Sequence, residues 1–219
     1  MSLQYPKEMH VFLLQNTGLI EQGSLTDAVE LTIFTAIHER ITQKLERRLW
    51  EVHCDVLNVS EESYGETLFA PIHWPQRKDG TRQAYYRISE SGVGNERWLS
   101  SLLGLNETQV CFELYVDGRL GGPRIKVKER VQDFYTKNPA LHELGFTCTD
   151  GELRLPFSFD AEKLTAEYPD LRKPMLIFEK VFDKLLKANE HIDKLIMGMV
   201  PQSANPQGDA ATKEQAEKK

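Results

Sequence analysis

Apolar residues recur at alternating intervals of three and four positions in one long stretch near the end of the chain. This spacing predicts an amphipathic helix from Met175 to Met199. Asn189 falls on the series and is its one polar member. Written as heptads, the series places Asn189 at an a position, where a single polar residue can fix register or oligomeric state. The apolar members are Met175, Phe178, Phe182, Leu185, Ile192, Ile196 and Met199.

Two interpretations of this helix remain open. It could be an interface with a protein partner or with a second copy of the chain. Alternatively, it could pack inside the protein, because apolar g positions make the stripe wider than a two-stranded coiled coil needs. Lysines at the f positions would then face solvent. The predicted interface residues are Phe178, Phe182, Leu185, Asn189, Ile192 and Ile196. The g positions are Val181, Ala188 and Leu195, and the f positions are Lys180, Lys187 and Lys194.

A second long helix is predicted near the start of the chain, from about Ser24 to Leu49. Its apolar residues again follow the helical period and form one face. It could therefore pack beside the last helix over a sheet. The residues of this face include Val29, Ile33, Phe34, Ile37, Ile41 and Leu45.

Between the two helices, apolar and polar residues alternate with a period of two, which predicts strands. Asp79-Gly80 and Asp150-Gly151 predict the turns of two hairpins. In the first hairpin, Phe69 and Ile72 are expected to face Tyr86 and Ile88. Shorter helices are predicted over 96–103, over 124–136 and after Asp160. The predicted strands are Trp50–Val59, Thr67–Trp74, Ala84–Ser89, Thr108–Val116, Phe146–Thr149 and Glu152–Phe157.

These elements predict an α+β fold with a mostly antiparallel sheet of about five to six strands packed by two long helices. We expect residues 1–200 to form a single domain. From Pro201 to Lys219 apolar residues other than alanine vanish, and this composition predicts a disordered tail.

Composition narrows the class of protein only modestly. The 219 residues carry a formal net charge of −6, so the molecule as a whole does not attract phosphate backbones. The chain contains no apolar run of the roughly 18 residues that a membrane span needs, so no membrane contact is expected. Cys54, Cys111 and Cys148 are far apart and odd in number, which favours reduced thiols and a cytoplasmic location.

One basic segment is a candidate contact for phosphate or nucleic acid. Five cationic residues surround a single acid, Glu129, and Gly121-Gly122 precedes a predicted helix N-terminus. The alternative is a tight turn followed by a solvated basic helix face. The five residues are Arg119, Arg124, Lys126, Lys128 and Arg130.

The order of elements around Glu113 and Asp117 resembles that of PD-(D/E)XK-type nucleases, with a helix, a hairpin, a strand and a helix. An active member needs a second acid before a lysine on the next element. Arg124-Ile-Lys126 and Lys126-Val-Lys128 carry bases there instead. Too few ligands remain for a two-metal site. The resemblance therefore implies at most a catalytically silent relative or accessory domain of such a nuclease.

No complete catalytic or metal-ligating pattern emerges elsewhere. His53 and His73 could form an acid–base or metal site only if their strands brought them together. Gly92 and Gly94 lack the third glycine of a dinucleotide fingerprint. We therefore expect no catalytic residue, no metal and no cofactor. The sequence favours a non-catalytic cytoplasmic interaction or regulatory protein, with self-association through the last helix as one possibility. The alternative is a nucleic-acid-associated protein that uses residues 119–130.

Overall fold

The computed structural model describes residues 11–12, 14–16, 27–54, 67–91, 98–105 and 108–200. Its strands are β1 (Trp50–Cys54), β2 (Thr67–Pro71), β3 (Ala84–Ser91), β4 (Gln109–Val116), β5 (Thr147–Thr149) and β6 (Glu152–Pro156). Its helices are α1 (Asp27–Leu45), α2 (Trp98–Leu102), α3 (Gly118–Gly121), α4 (Arg124–Lys137), α5 (Pro139–Leu144), α6 (Ala161–Glu167) and α7 (Met175–Met199).

The six strands form one antiparallel sheet in the order β1-β2-β3-β4-β6-β5. Consecutive strands β1 to β4 are neighbours, and the β5–β6 hairpin adds to β4 through β6. Both turns predicted from Asp-Gly pairs are present, and their glycines, Gly80 and Gly151, adopt positive φ. The predicted α+β class and strand number are confirmed.

The core lies on the sheet face that the two long helices cover. Phe112, in the middle of β4, is 1% exposed and lies 5.5 and 5.6 Å from the rings of Phe178 and Phe182 on α7. Helix α1 runs beside α7, where Arg40 lies 3.5 Å from Glu179. Partly exposed ion pairs of this kind contribute little, so the buried apolar residues supply most of the stability.

Strands β4 and β6 stay together over only three residue pairs. Their ladder runs from Cys111–Pro156 to Glu113–Arg154. Beyond that pair β6 continues alongside β5, up to Glu152 opposite Thr149. Leu114 to Val116 remain paired with β3. Two neighbouring strands therefore diverge at this end of the sheet, next to helix α4.

Glycine at position 151 lets the β5–β6 turn approach α4 closely. Gly151 has a φ of +71°, and a Cβ atom there would clash with the backbone of Lys128. Only a residue without a side chain fits this position, because both the φ value and the space exclude a Cβ atom. Gly151 thus fixes the turn against the N-terminal half of α4.

Some predicted elements differ from the structure. The strand expected over Thr67–Trp74 ends at Pro71, and Trp74 turns into the core, where it is 1% exposed. Phe69 does face Tyr86, but Ile72 is exposed and Ile88 lies opposite Phe112, so this half of the predicted hairpin register was wrong. Helices α3 and α5 were not predicted, because glycines and prolines bound both of them.

Several predictions fall outside the described residues. These are the helix start at Ser24, the end of the first predicted strand at 55–59, the segment with Gly92 and Gly94, the first residues of the helix predicted over 96–103, and the tail from 201 to 219. Within the described part of the chain, no helix combines the length and apolar character needed to cross a membrane.

Candidate functional site

The basic segment does not form one surface. Successive residues of an α-helix are rotated by about 100°, so Lys126 and Lys128 lie on opposite sides of α4. Arg124 and Lys128 share a side with the buried residues Val127 and Val131. Lys126 and Arg130 lie on the outer side, and Arg119 is exposed on α3. The structure therefore divides the five predicted contact residues between two directions.

The inner side of α4 borders a cleft of about 240 Å³ where β4 and β6 diverge. Strands β3, β4 and β6 and helix α4 form its walls. Arg87 and Arg154 reach it from the sheet, and Arg124 and Lys128 reach it from α4. Four cationic side chains from three strands or helices thus meet at one opening.

Glu113 is the central carboxylate of this cleft and is only 7% exposed. Its Oε1 accepts a hydrogen bond of 3.0 Å from Arg87 Nη2, and its Oε2 accepts one of 2.7 Å from Ser89 Oγ. Arg154 Nε lies 3.7 Å from the same Oε2. Cross-strand pairing creates this cluster, because Glu113 lies opposite both Arg87 and Arg154 in the sheet. A buried carboxylate with this many donors is held in a fixed position.

A second carboxylate, Glu152, connects the sheet with α4. Lys128 Nζ donates a hydrogen bond of 2.9 Å to Glu152 Oε1, and Arg154 Nη2 donates to Glu152 Oε2. The hydrogen bond from Lys128 lowers the pKa of Glu152 below its ordinary value, although partial burial opposes the shift. The ion pair thus joins α4 to β6 across the cleft.

The cleft carries a local positive surplus. Four cationic side chains and three carboxylates line it, the third being Glu90, whereas the whole chain has a formal net charge of −6. Arg124 is exposed at the mouth of the cleft, at the first position of α4. The first turn of a helix adds partial positive charge from its free N–H groups. The electrostatics therefore favour an anionic group at this point.

One wall of the cleft is aromatic. Tyr115 lines the cleft, and the ring of Tyr85 stacks on it at 4.8 Å with an interplanar angle of 21°. The Arg87 guanidinium lies 5.7 Å from the centre of the Tyr115 ring. Tyr85 lies opposite Tyr115 on β3, whereas β6 is not paired with β4 at this residue.

The acids that suggested a nuclease have structural partners. Asp117 forms an ion pair with Arg77, and its Oδ1 accepts a 3.0 Å hydrogen bond from the backbone of Arg119 as the cap of α3. Glu113 is held by Arg87 and Ser89, as described above. In the described segments, no group of three or more His, Cys, Asp or Glu side chains is arranged to hold a metal ion. Glu113 and Asp117 thus act here as ion-pair and capping residues.

The predicted interface residues of the last helix all face the protein's own interior. Phe178, Phe182, Leu185, Ile192 and Ile196 are at most 1% exposed, and Asn189 is 9% exposed. The lysines of the f positions are exposed, as the heptad pattern predicts. In this fold the stripe packs on the sheet and is not available to a second copy of the chain. Of the two interpretations, intramolecular packing is the one that the geometry matches.

Asn189 belongs to a hydrogen-bonded chain that links the sheet to α7. Tyr86 Oη donates to Asn189 Oδ1 at 3.0 Å, and Asn189 Nδ2 donates to Asp193 Oδ1 at 3.2 Å. Trp74 Nε1 donates to the same Asp193 oxygen at 2.6 Å. Burial raises the pKa of Tyr86 well above its ordinary value, so the phenol stays protonated as a donor. The polar residue in the apolar series therefore has an intramolecular partner.

The two histidines considered from the sequence are not brought together. His53 lies 2.9 Å from Glu51 on β1, whereas His73 lies 3.3 Å from Asp193 on α7. His53 pairs with Leu68 in the sheet, five residues before His73. Each histidine is thus next to a different carboxylate, and they form no joint site.

Sequence reasoning missed the contributions of the sheet to the cleft, namely Arg87, Ser89, Tyr115 and Arg154. One signal was available. Arg87 stands between the apolar residues Tyr86 and Ile88 in a predicted strand, which places a charge in the middle of the second sheet face. The sequence could not show that Arg154 also lies next to the Glu113 carboxylate, because it does not reveal the order of the strands in the sheet.

Comparison of the chain with protein-family models, with curated proteins and with solved structures found no significant match. The function of this protein is therefore inferred from the chemistry of the cleft.

Proposed function

We propose that this protein is a non-catalytic binding protein that holds the phosphate groups of a nucleic acid in the cleft between β3, β4, β6 and α4. The observation that carries the proposal is the convergence of Arg87, Arg124, Lys128 and Arg154 on one opening. A cytoplasmic location, favoured by the cysteine pattern, is part of this proposal.

Arginine suits such a role because its planar guanidinium can bind two phosphate oxygens at once. Arg87 and Arg154 are already oriented by Glu113, so little side-chain entropy is lost when a ligand binds. Arg124 and Lys128 approach the same opening from α4. This arrangement corresponds to the nucleic-acid alternative, with the contact surface moved from the linear segment 119–130 to the cleft.

The test compares two charge reversals on one helix. Arg124→Glu changes the mouth of the cleft, and Lys126→Glu makes the same change in charge on the outer side of α4. Both positions are exposed, so neither substitution should unfold the protein. Binding of fluorescently labelled 20-nucleotide DNA and RNA is followed by anisotropy at 50 and 200 mM salt, with circular dichroism as a check on folding.

We expect native binding to weaken steeply with salt, and Arg124→Glu to weaken it about tenfold, whereas Lys126→Glu changes it about twofold or less. Equal effects of the two variants would show that the cleft is not the binding site. Undetectable binding at 50 mM salt would overturn the nucleic-acid function. Binding of a polyglutamate peptide in place of nucleic acid would assign the cleft to an acidic protein segment instead.

A further inference from the structure

Phosphate binding alone does not require an aromatic ring such as that of Tyr115 in the cleft wall. One face of the ring is supported by Tyr85 at 4.8 Å, and the ring itself lines the opening. The Arg87 guanidinium lies over the ring, 5.7 Å from its centre, and the other cations line the same cleft. A supported aromatic ring beside cationic side chains is the arrangement on which single-stranded nucleic acids stack their bases.

We infer that the cleft takes an unpaired base of a single-stranded nucleic acid, stacked on Tyr115, while the neighbouring phosphates contact Arg124 and Lys128. This inference rests on the proposed function and names its ligand more closely. In a duplex the flat faces of the bases are covered by their neighbours, so only an unpaired base can present a face to Tyr115. The aromatic wall thus selects for single strands.

The size of the cleft limits how much of a nucleic acid it can hold. Its volume of about 240 Å³ lies below the roughly 300–1,000 Å³ of pockets that enclose drug-sized ligands, so it admits a single base and leaves the rest of the strand outside. Beyond Glu113, β4 has no paired residue on β6, and both Tyr115 and Lys128 line the opening left there. A base with its adjoining phosphate can therefore contact both at once.

Charge alone predicts a preference for duplexes over single strands. A duplex carries more phosphate per unit length than a single strand, so a site that recognises only phosphates binds the duplex more tightly at low salt. A preference for single strands over duplexes of the same sequence is therefore the signature of base stacking. It separates this inference from the proposed function.

The experiment uses the full chain with three labelled probes: a 20-nucleotide single strand, the duplex of the same sequence and an abasic single strand of the same length. We expect the native protein to bind the single strand about tenfold more tightly than the abasic strand, because one stacked base is lost. Tyr115→Leu should bind the normal and abasic strands equally, and Tyr115→Phe should retain the native difference, because it keeps the ring.

Each outcome is informative. Equal native affinity for normal and abasic strands, or tighter binding of the duplex, would overturn base stacking while leaving phosphate binding intact. Loss of all binding in Tyr115→Leu but not in Tyr115→Phe would still support a role for the aromatic ring in binding. No binding of any probe by the native protein would overturn the proposed function as well.

Discussion

The phenol of Tyr86 and the amide of Asn189 form a 3.0 Å hydrogen bond between β3 and α7, and the two residues are 103 positions apart in the chain. Both side chains are buried. A buried donor without an acceptor costs free energy, so Asn189 satisfies a group that leucine at this position could not. The single polar residue of the α7 stripe is thus matched to the sheet of its own chain.

Replacing Asn189 with leucine should destabilise the protein, although it makes the stripe wholly apolar. We expect Asn189→Leu to lower the free energy of unfolding by about 1–3 kcal/mol, because Tyr86 loses its acceptor. In the double variant Tyr86→Phe/Asn189→Leu the loss should be smaller than the sum of the single losses. Urea denaturation of the four proteins measures this, with Lys187→Leu as an exposed control on the same helix.

The same variant tests self-association. Since Asn189 contacts Tyr86 within one chain, Asn189→Leu should have the same mass in solution as the native protein. Light scattering after size-exclusion chromatography measures it. A change in oligomeric state would show that Asn189 takes part in an interface between copies, contrary to its position here.

Two glycines with similar backbone angles differ in what surrounds them. Gly80 has a φ of +88° and no atom within 4 Å of an added Cβ, whereas a Cβ at Gly151 would meet the Lys128 backbone. Gly80→Ala should therefore cost only the strain of the left-handed backbone, about 1–2 kcal/mol. Gly151→Ala should cost about 1–3 kcal/mol more, because α4 must move. Equal destabilisation of the two variants in urea would contradict the close approach.

The Lys128–Glu152 ion pair predicts a titration shift. The hydrogen bond from Lys128 holds the Glu152 pKa below its ordinary value of 4.5. Lys128→Met should therefore raise the Glu152 pKa, as measured by NMR of the side-chain carboxyl carbon. Because the native pKa is depressed, the pair stabilises the fold above about pH 4.5, and this contribution is lost as pH falls through the Glu152 pKa. An unshifted Glu152 in the variant would contradict the pairing.

Cys111 predicts a loss of stability at alkaline pH. Burial raises the pKa of this thiol to about 11, from an ordinary value of 9.0. The folded state therefore keeps a proton that the unfolded chain releases, and stability falls as pH rises from 9 to 11. The loss is about 2–3 kcal/mol. Cys111→Ala should flatten the decline between pH 8 and 11 in urea experiments under reducing conditions. Cys148→Ala is the control, with a smaller effect because its thiol is only half-buried.

The sequence predicts local structure well where one periodic pattern extends over many residues. The bounds of α7 match the predicted helix, and the alternation around Phe112 gives the correct core face of β4. Such patterns record which side of an element is buried, and that is a property of neighbouring residues. The turns at Gly80 and Gly151 are predictable for the same reason.

The cleft was predictable only in part, because its residues come from separate strands and helices. Two residues of the predicted basic segment, Arg124 and Lys128, do line the cleft. Lys126 lies between them in the sequence, but its side chain is on the opposite side of α4. The partners of Glu113 lie 26 positions before it and 41 after it, at Arg87 and Arg154. Only the strand order brings the three together, and the order depends on non-local pairing that a single sequence does not reveal.

The divergence of β4 from β6 beyond Glu113 and Arg154 means that regular secondary structure, rather than loops, builds the cleft. The dimensions of the cleft depend on where the β4–β6 ladder ends and on how α4 packs against the β5–β6 turn. Insertions in loops other than the β5–β6 turn would leave such a cavity unchanged, whereas a one-residue shift in the β6 register would exchange Arg154 for a core residue. Variation in what the cleft accepts is therefore expected to arise from substitutions at its walls, with the backbone kept constant.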